Sequence, residues 1–195
     1  MHLYLYGIGQ GVLHPITQGE WEVTDFVGLR GDKVYYISTE SSPLKRDLYR
    51  VGLDGKHKER LTPGDGYYSI YPSADLSYYI CEGGDSSAPG RTDVFNAAGK
   101  RVRTLYDNAP LKEALVEAGL PVREFFTFTT ERGDELNGYM LKPLDFDPAK
   151  RYPVLLTQYS GPGSQQVAEG WGPDWEDALV THGYILSLIH ISEPT

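Results

Sequence analysis

Arg151-Tyr152-Pro153-Val154-Leu155-Leu156-Thr157-Gln158-Tyr159-Ser160-Gly161-Pro162-Gly163-Ser164-Gln165 joins a short apolar run to a tyrosine and then, at once, to a glycine-proline-glycine turn. A run entered through Pro153 and left through Gly161-Pro162-Gly163 predicts a buried strand over residues 154–158 that ends in a loop. Loops at strand ends are where binding and catalytic groups concentrate. Tyr159 stands at that junction, so this stretch governs how both flanks are read.

Upstream, Glu124-Phe125-Phe126-Thr127-Phe128-Thr129 and Leu136-Asn137-Gly138-Tyr139-Met140-Leu141 flank the polar turn Glu131-Arg132-Gly133-Asp134-Glu135. That pattern predicts a hairpin, closed by Lys142-Pro143 and followed by the loop Asp145-Phe146-Asp147-Pro148. Downstream, Asp174-Trp175-Glu176-Asp177-Ala178-Leu179-Val180-Thr181-His182 reads as a helix closed by Gly183, and Tyr184-Ile185-Leu186-Ser187 opens a further strand. A hairpin followed by strand, helix and strand is how an α/β-hydrolase sheet opens. Before the hairpin, Asp107-Asn108 precede Ala109 to Gly119. A capping residue, Pro110 in the first turn, Leu111, Leu115 and Ala118 at helical spacing, and a closing glycine predict one short linking helix.

The first half is a repeat. Leu3-Tyr4 recurs as Leu48-Tyr49, an offset of 45 residues (48 − 3), and loosely as Val94-Phe95, a further 46 (94 − 48). Ile16-Thr17-Gln18-Gly19 recurs as Leu61-Thr62-Pro63-Gly64, again at 45 (61 − 16). Val34-Tyr35-Tyr36-Ile37 is answered by Ser77-Tyr78-Tyr79-Ile80, and the turn Asp54-Gly55 by Ala98-Gly99. Six of the fifteen tyrosines fall in the strand-like doublets Tyr35-Tyr36, Tyr67-Tyr68 and Tyr78-Tyr79, which fits pleated, half-buried surfaces. Several short antiparallel strands at a period of about 40–50 residues are the mark of β-propeller blades. About two full units fit before residue 107, whereas a propeller needs at least four to close, so this half is expected to be an incomplete domain.

Composition narrows the function. A formal charge of −9 argues against nucleic acid, since binding a polyanion needs a basic face. The densest basic run, Lys56-His57-Lys58-Glu59-Arg60, reads as a solvated turn and strand edge. No apolar run approaches the roughly 18 residues of a membrane span, and no signal-peptide pattern follows Met1. Cys81 is the only cysteine and sits in the strand-like Tyr78-Tyr79-Ile80-Cys81-Glu82, so a buried structural thiol is expected, with no intrachain disulfide. No His, Asp and Glu set has metal-ligand spacing, and Gly7-Ile8-Gly9-Gln10-Gly11 lacks the third glycine and the helix of a dinucleotide site. No cofactor and no metal are expected. Trp171-Gly172-Pro173-Asp174-Trp175 is expected to pack a helix on the sheet rather than to line a pocket.

Taken in order, His2-Leu3-Tyr4, Ile16-Thr17-Gln18-Gly19-Glu20-Trp21-Glu22-Val23, Leu48-Tyr49, the linking helix, Gly138-Tyr139-Met140-Leu141-Lys142-Pro143 and Tyr152 through Gln165 resemble dipeptidyl peptidase IV-like members of the prolyl oligopeptidase family of serine peptidases. The resemblance implies the last blades of an incomplete β-propeller over 1–107, a linker helix over 108–121, and the N-terminal part of an α/β-hydrolase domain over 122–186. It implies serine acyl transfer that releases N-terminal dipeptides (or tripeptides) after proline or alanine. Its substrates would be peptides, its location periplasmic or secreted, and it allows a homodimeric parent. The tyrosine that follows the third hydrolase strand in this family points its hydroxyl at the developing oxyanion, which carries over to Tyr159.

The same resemblance places the rest of the machinery outside these residues. The paired glutamates and the arginine that hold the substrate's amino terminus would lie upstream, and Glu20 and Glu22 belong to a blade motif instead. The nucleophile elbow would lie downstream. No G-x-S-x-G occurs, and Ser160-Gly161-Pro162-Gly163-Ser164 does not fit it. His182 and His190 are not expected to stand in for the triad histidine. Residues 187–195, Ser187-Leu188-Ile189-His190-Ile191-Ser192-Glu193-Pro194-Thr195, depart from the family and resemble translated adaptor sequence, so a non-native tail is expected there. Two rivals stay open: an endopeptidase or acyl-peptide hydrolase of the same superfamily, which Tyr159-Ser160-Gly161-Pro162 disfavours, and a propeller-hydrolase protein that binds without catalysis.

Overall fold

The computed structural model describes residues 1–159, 166–173, 175 and 177–190, with Tyr159 and His190 described by their backbone alone. The chain divides into two units, one made of residues 1–85 and 90–108, the other of 86–89 and the residues from 109 onward.

Antiparallel sheets dominate. In the first unit β1 (Tyr4–Gly7) and β2 (Gly11–Pro15) form a hairpin. Next, β3 (Val23–Arg30), β4 (Lys33–Ser38), β5 (Asp47–Gly52) and β6 (Glu59–Arg60) make a four-stranded antiparallel sheet in sequence order. A second such sheet follows from β7 (Tyr67–Pro72), β8 (Tyr78–Gly84), β9 (Arg91–Asn96) and β10 (Arg101–Tyr106). The 45-residue offset is therefore structural, with β1, β5 and β9 in equivalent places. The β5–β6 and β9–β10 turns close through Gly55 and Gly99, with φ of +74° and +75°. That left-handed conformation costs an L side chain roughly 1–2 kcal/mol, which explains glycine at both positions.

The tyrosine doublets have a packing reason. Successive residues of a strand point to opposite faces, and the sheet β3–β6 is covered on both. Tyr36 packs with Val34, Tyr49, Val51 and Ile16, against Leu3 and Leu5 of the β1–β2 region. Its neighbour Tyr35 packs on the other face with Leu48, Leu61, Tyr68, Tyr79, Cys81 and Phe95, the last four from the sheet β7–β10. Ring stacking reinforces both layers, Trp21 on Tyr36 on Tyr49 in one and Tyr79 on Phe95 in the other. Each fully buried large side chain contributes about 1.5–3 kcal/mol. Cys81 is a core residue, and burial pushes its thiol up to about 12, so it is an inert packing group.

In the second unit α1 (Ala109–Ala118) ends at Gly119, whose φ is +64°. Asn108 is itself left-handed, and its side-chain amide donates to the Gly90 carbonyl at 2.7 Å rather than capping the helix. None of the helix's apolar residues is fully buried. Beyond it, β11 (Glu124–Thr129) and β12 (Glu135–Leu141) form the expected hairpin. They are followed by β13 (Val154–Tyr159), α2 (Asp177–Thr181) and β14 (Ile185–His190). The sheet order is β11-β12-β14-β13, with β13 and β14 parallel and β12 antiparallel to β14. The helix α2 thus lies in a crossover between parallel strands, the connection that such pairing requires. Strand β14 runs beyond residue 186. Ser187, Leu188 and Ile189 pair with β12, and Ser187 is buried with its hydroxyl on the Tyr139 carbonyl. Among the described residues no helix is long and apolar enough to cross a membrane.

Candidate active site

Tyr159 is the last residue of β13, at one edge of the described sheet, and its backbone lies opposite His190 in the parallel register. Its side chain and Ser160–Gln165 lie outside the described residues. The strand is anchored at its entrance and pairs with β14 along its length. At its entrance the Tyr152 hydroxyl accepts the Asp147 N–H at 2.8 Å, and the Tyr152 ring packs on Phe146. Lys142 sits over that Phe146 ring and pairs with Glu124 across the β11–β12 hairpin.

Among residues 166–173, Val167 is fully buried, and the carbonyls of Gly170 and Gly172 are held by Arg123. The guanidinium donates to the Gly170 carbonyl at 3.0 Å and the Gly172 carbonyl at 2.5 Å, and stacks 4.7 Å from the centre of the Tyr139 ring. Arg123 lies just before β11 and Tyr139 within β12, so the hairpin serves as the floor on which this segment rests. Arg123, Leu115, Leu120, Leu141, Trp171 and Asp177 also line a cleft of about 270 Å³.

The sequence expectations meet this geometry unevenly. Trp171 lines the cleft, and Trp175 is 66% exposed, so neither packs a helix onto the sheet as expected. The reason is the shortness of α2, which starts only at Asp177 and buries Val180 alone. Asp174 and Glu176, counted in the expected helix, lie outside the described residues. His182 is exposed just past α2, where its Nδ1 donates to the Ala178 carbonyl at 2.8 Å and closes the helix. The Arg123 clamp was not legible in the sequence. Its partners lie 47 and 49 residues away, and nothing local marks an arginine as a carbonyl clamp.

In the first unit the repeat motifs carry a polar latch. The buried Asp47 carboxylate accepts the Thr62 hydroxyl at 2.5 Å and also that of Ser41. One repeat earlier the Leu3 N–H donates to the Thr17 hydroxyl at 2.9 Å, and His2 Nδ1 lies 3.2 Å from the same oxygen. His2 Nε2 faces the Gly19 carbonyl at 3.0 Å and donates to it, which leaves Nδ1 to accept from Thr17. Tyr36, Trp21, Thr17, Asp54 and Lys58 line a second cavity, of about 330 Å³. Among the described residues no group of three or more His, Cys, Asp or Glu is placed to hold a metal ion.

Residues 1–89 match the family model described as the dipeptidyl peptidase IV (DPP IV) N-terminal region. A probable dipeptidyl peptidase 4 from Emericella nidulans is 37% identical over 177 residues, which is 87% of this chain and 22% of that protein. A dipeptidyl-aminopeptidase B from Aspergillus niger is 37% identical over 179 residues, 88% of this chain and 20% of that one. The crystal structure of Porphyromonas gingivalis dipeptidyl peptidase 4 superposes with a TM-score of 0.88 at 36% identity, covering 97% of this chain and 27% of its own. The chain spans about a fifth to a quarter of the length of these relatives. Repeated antiparallel sheets, a mixed sheet whose parallel edge strand ends at Tyr159, and similarity along nearly the whole chain agree, and the chain is dipeptidyl peptidase IV-like.

Proposed function

We propose that the full-length protein carrying this chain is a serine exopeptidase that releases N-terminal dipeptides (or tripeptides) after proline or alanine. In this reading the hairpin and the two four-stranded sheets of residues 1–107 are consecutive blades of a β-propeller. Residues 108–121 are the linker helix, and residues 122–186 open an α/β-hydrolase domain. Tyr159 donates its hydroxyl to the oxyanion of the tetrahedral intermediate. The observation that carries the reading is the position of Tyr159. It ends the parallel edge strand β13, in a chain 36% identical to a dipeptidyl peptidase 4 of known structure.

The chemistry follows from general physical principles. Attack on a peptide carbonyl puts negative charge on its oxygen, and a preorganised hydroxyl aimed at that oxygen stabilises the transition state more than the ground state. The anchoring at Tyr152 and the β13–β14 pairing fix the backbone of β13, from which that hydroxyl would be presented. Full-length protein is expected to release the chromophore from a Gly-Pro anilide and to leave the same substrate uncut when its amino group is acylated. Equal cleavage of free and acylated substrates would point to an endopeptidase or acyl-peptide hydrolase, and no cleavage of either to a binding protein.

A further inference from the structure

We infer that the first unit holds a binding site for a neutral polyhydroxylated small molecule, the size of a single sugar ring, in the cavity of about 330 Å³ beside Tyr36. That volume falls within the roughly 300–1,000 Å³ of small-molecule sites. Ile16, Val51 and the Trp21 indole give the cavity apolar walls, while Tyr36, Lys58 and Asp54 line its polar side. The hydrogen bonding left open there sets the ligand class. Lys58 sits over the Trp21 ring and pairs with Glu40 through Oε1, and the Glu40 Oε2 atom is buried without a partner among the described residues. Trp21 stacks on Tyr36, which is fully buried and whose hydroxyl also has no such partner. Burial, and after it the charge of Glu40, pushes that hydroxyl above its ordinary value, so it stays protonated. An unmatched donor and an unmatched acceptor therefore stand four residues apart in the chain. A ligand hydroxyl suits both, because it accepts and donates at once. A carboxylate has no proton to give to Glu40 and meets the further negative charge of Asp54, and an ammonium cannot accept from Tyr36 and meets Lys58. Since Lys58 and Glu40 cancel, a neutral ligand enters without burying net charge. Buried polar atoms left unmatched are uncommon, and departures of that kind gather at functional sites.

The test uses the full-length protein and saturation-transfer NMR. The neutral probes are glucose, mannose and mannitol, set against gluconate and glucosamine, which add a negative or a positive charge to a similar carbon frame. At least one neutral probe is expected to bind saturably, and roughly tenfold more tightly than either charged compound. Tyr36→Phe removes the open donor. Glu40→Gln keeps an oxygen for Lys58 and turns the open acceptor into a donor. Each substitution is expected to weaken binding of the neutral probe roughly tenfold, the worth of one hydrogen bond to a buried group. Tyr36→Phe should do so without lowering the melting temperature of the sugar-free protein. Absence of saturable binding, binding that either variant leaves unchanged, or a preference for gluconate or glucosamine would overturn the site. Stabilisation that rises with sugar concentration equally in parent and variants is the effect of an excluded osmolyte and counts as absence of binding. If one variant does not fold, the other decides alone.

Discussion

Thr62 and Asp47 are joined by a 2.5 Å hydrogen bond inside the first unit, although fifteen residues separate them, and the carboxylate they share with Ser41 is almost fully buried. The Arg60 guanidinium lies 3.9 Å from it. A buried carboxylate that loses a donor retains its desolvation cost, so the bond matters more by its removal than by its presence. Thr62→Val, which keeps the shape and removes the hydroxyl, is expected to lower stability by about 1–3 kcal/mol. Chemical denaturation of the full-length protein measures it, and a midpoint within error of the parent would reduce the latch to packing.

Two buried tyrosines separate packing from hydrogen bonding. Tyr79 donates to the Leu61 carbonyl at 3.0 Å, whereas the Tyr36 hydroxyl is buried without a hydrogen-bond partner among the described residues. Tyr79→Phe orphans a carbonyl and should cost about 1–3 kcal/mol, while Tyr36→Phe removes an unpaired polar group and should be neutral or stabilising. Thermal melts of both variants test the contrast. A destabilised Tyr36→Phe protein would mean that its hydroxyl has a partner in solution.

The same burial predicts an alkaline limit. Burial raises the Tyr49 and Tyr68 hydroxyls from an ordinary 10.0 to about 12, and the Cys81 thiol from 9.0 to about 12. Tyr36 and Tyr79 are pushed up further for the same reason. These groups keep their protons in the folded chain and release them at ordinary values once unfolded. Their contribution is therefore complete below pH 9 and is lost as pH rises from there to about 12. Tyrosinate absorbance should appear together with loss of circular dichroism in that window. Smooth titration at ordinary values with the fold intact would contradict the packing described.

Much of this was legible in the sequence because repeats report structure twice. The doublets at Tyr35-Tyr36 and Tyr78-Tyr79, the turn glycines and the Leu/Ile-Thr-x-Gly exits mark strands and turns wherever they recur. The role of the exit threonine was not read. Its partner stands one place before the Leu-Tyr pair, as His2 and Asp47, with Asp93 at the same place in the third unit, a column visible once the repeats are stacked. The Arg123 clamp and the exposure of Trp175 had no such signal. Both depend on tertiary contacts of a segment without a regular element, where neither periodicity nor turn chemistry speaks.

The third unit of that column also shows an open face. Tyr35 is 4% exposed because the sheet β7–β10 covers it, whereas its repeat equivalent Tyr78 is 51% exposed and Tyr71 lies bare on the same sheet. Apolar sheet faces and unpaired edges of this kind promote association. The 195-residue chain by itself is expected to self-associate and to show no peptidase activity, since its sequence carries no G-x-S-x-G elbow. Light scattering that finds a monodisperse monomer with a cooperative melt, or heat-labile cleavage of a Gly-Pro anilide by the purified chain, would count against this.

The most direct measurement concerns Tyr159. Its backbone closes β13, the strand that Tyr152 and β14 hold in place, and the clamped segment from residue 166 onward lies beyond it. Phenylalanine at this position keeps the ring and any packing it provides, and removes only the donor. Loss of one oxyanion donor costs about 2.7–4 kcal/mol of transition-state stabilisation, or roughly 10²–10³ in kcat. Because the bond strengthens only as charge develops, KM and Tm should change little. Tyr159→Phe in the full-length protein is therefore expected to lower kcat by about that factor, with binding of a non-hydrolysed substrate analogue unaffected. A variant with parental kcat would make Tyr159 a packing residue, and a fall in Tm matching the fall in rate would assign the loss to folding instead of chemistry.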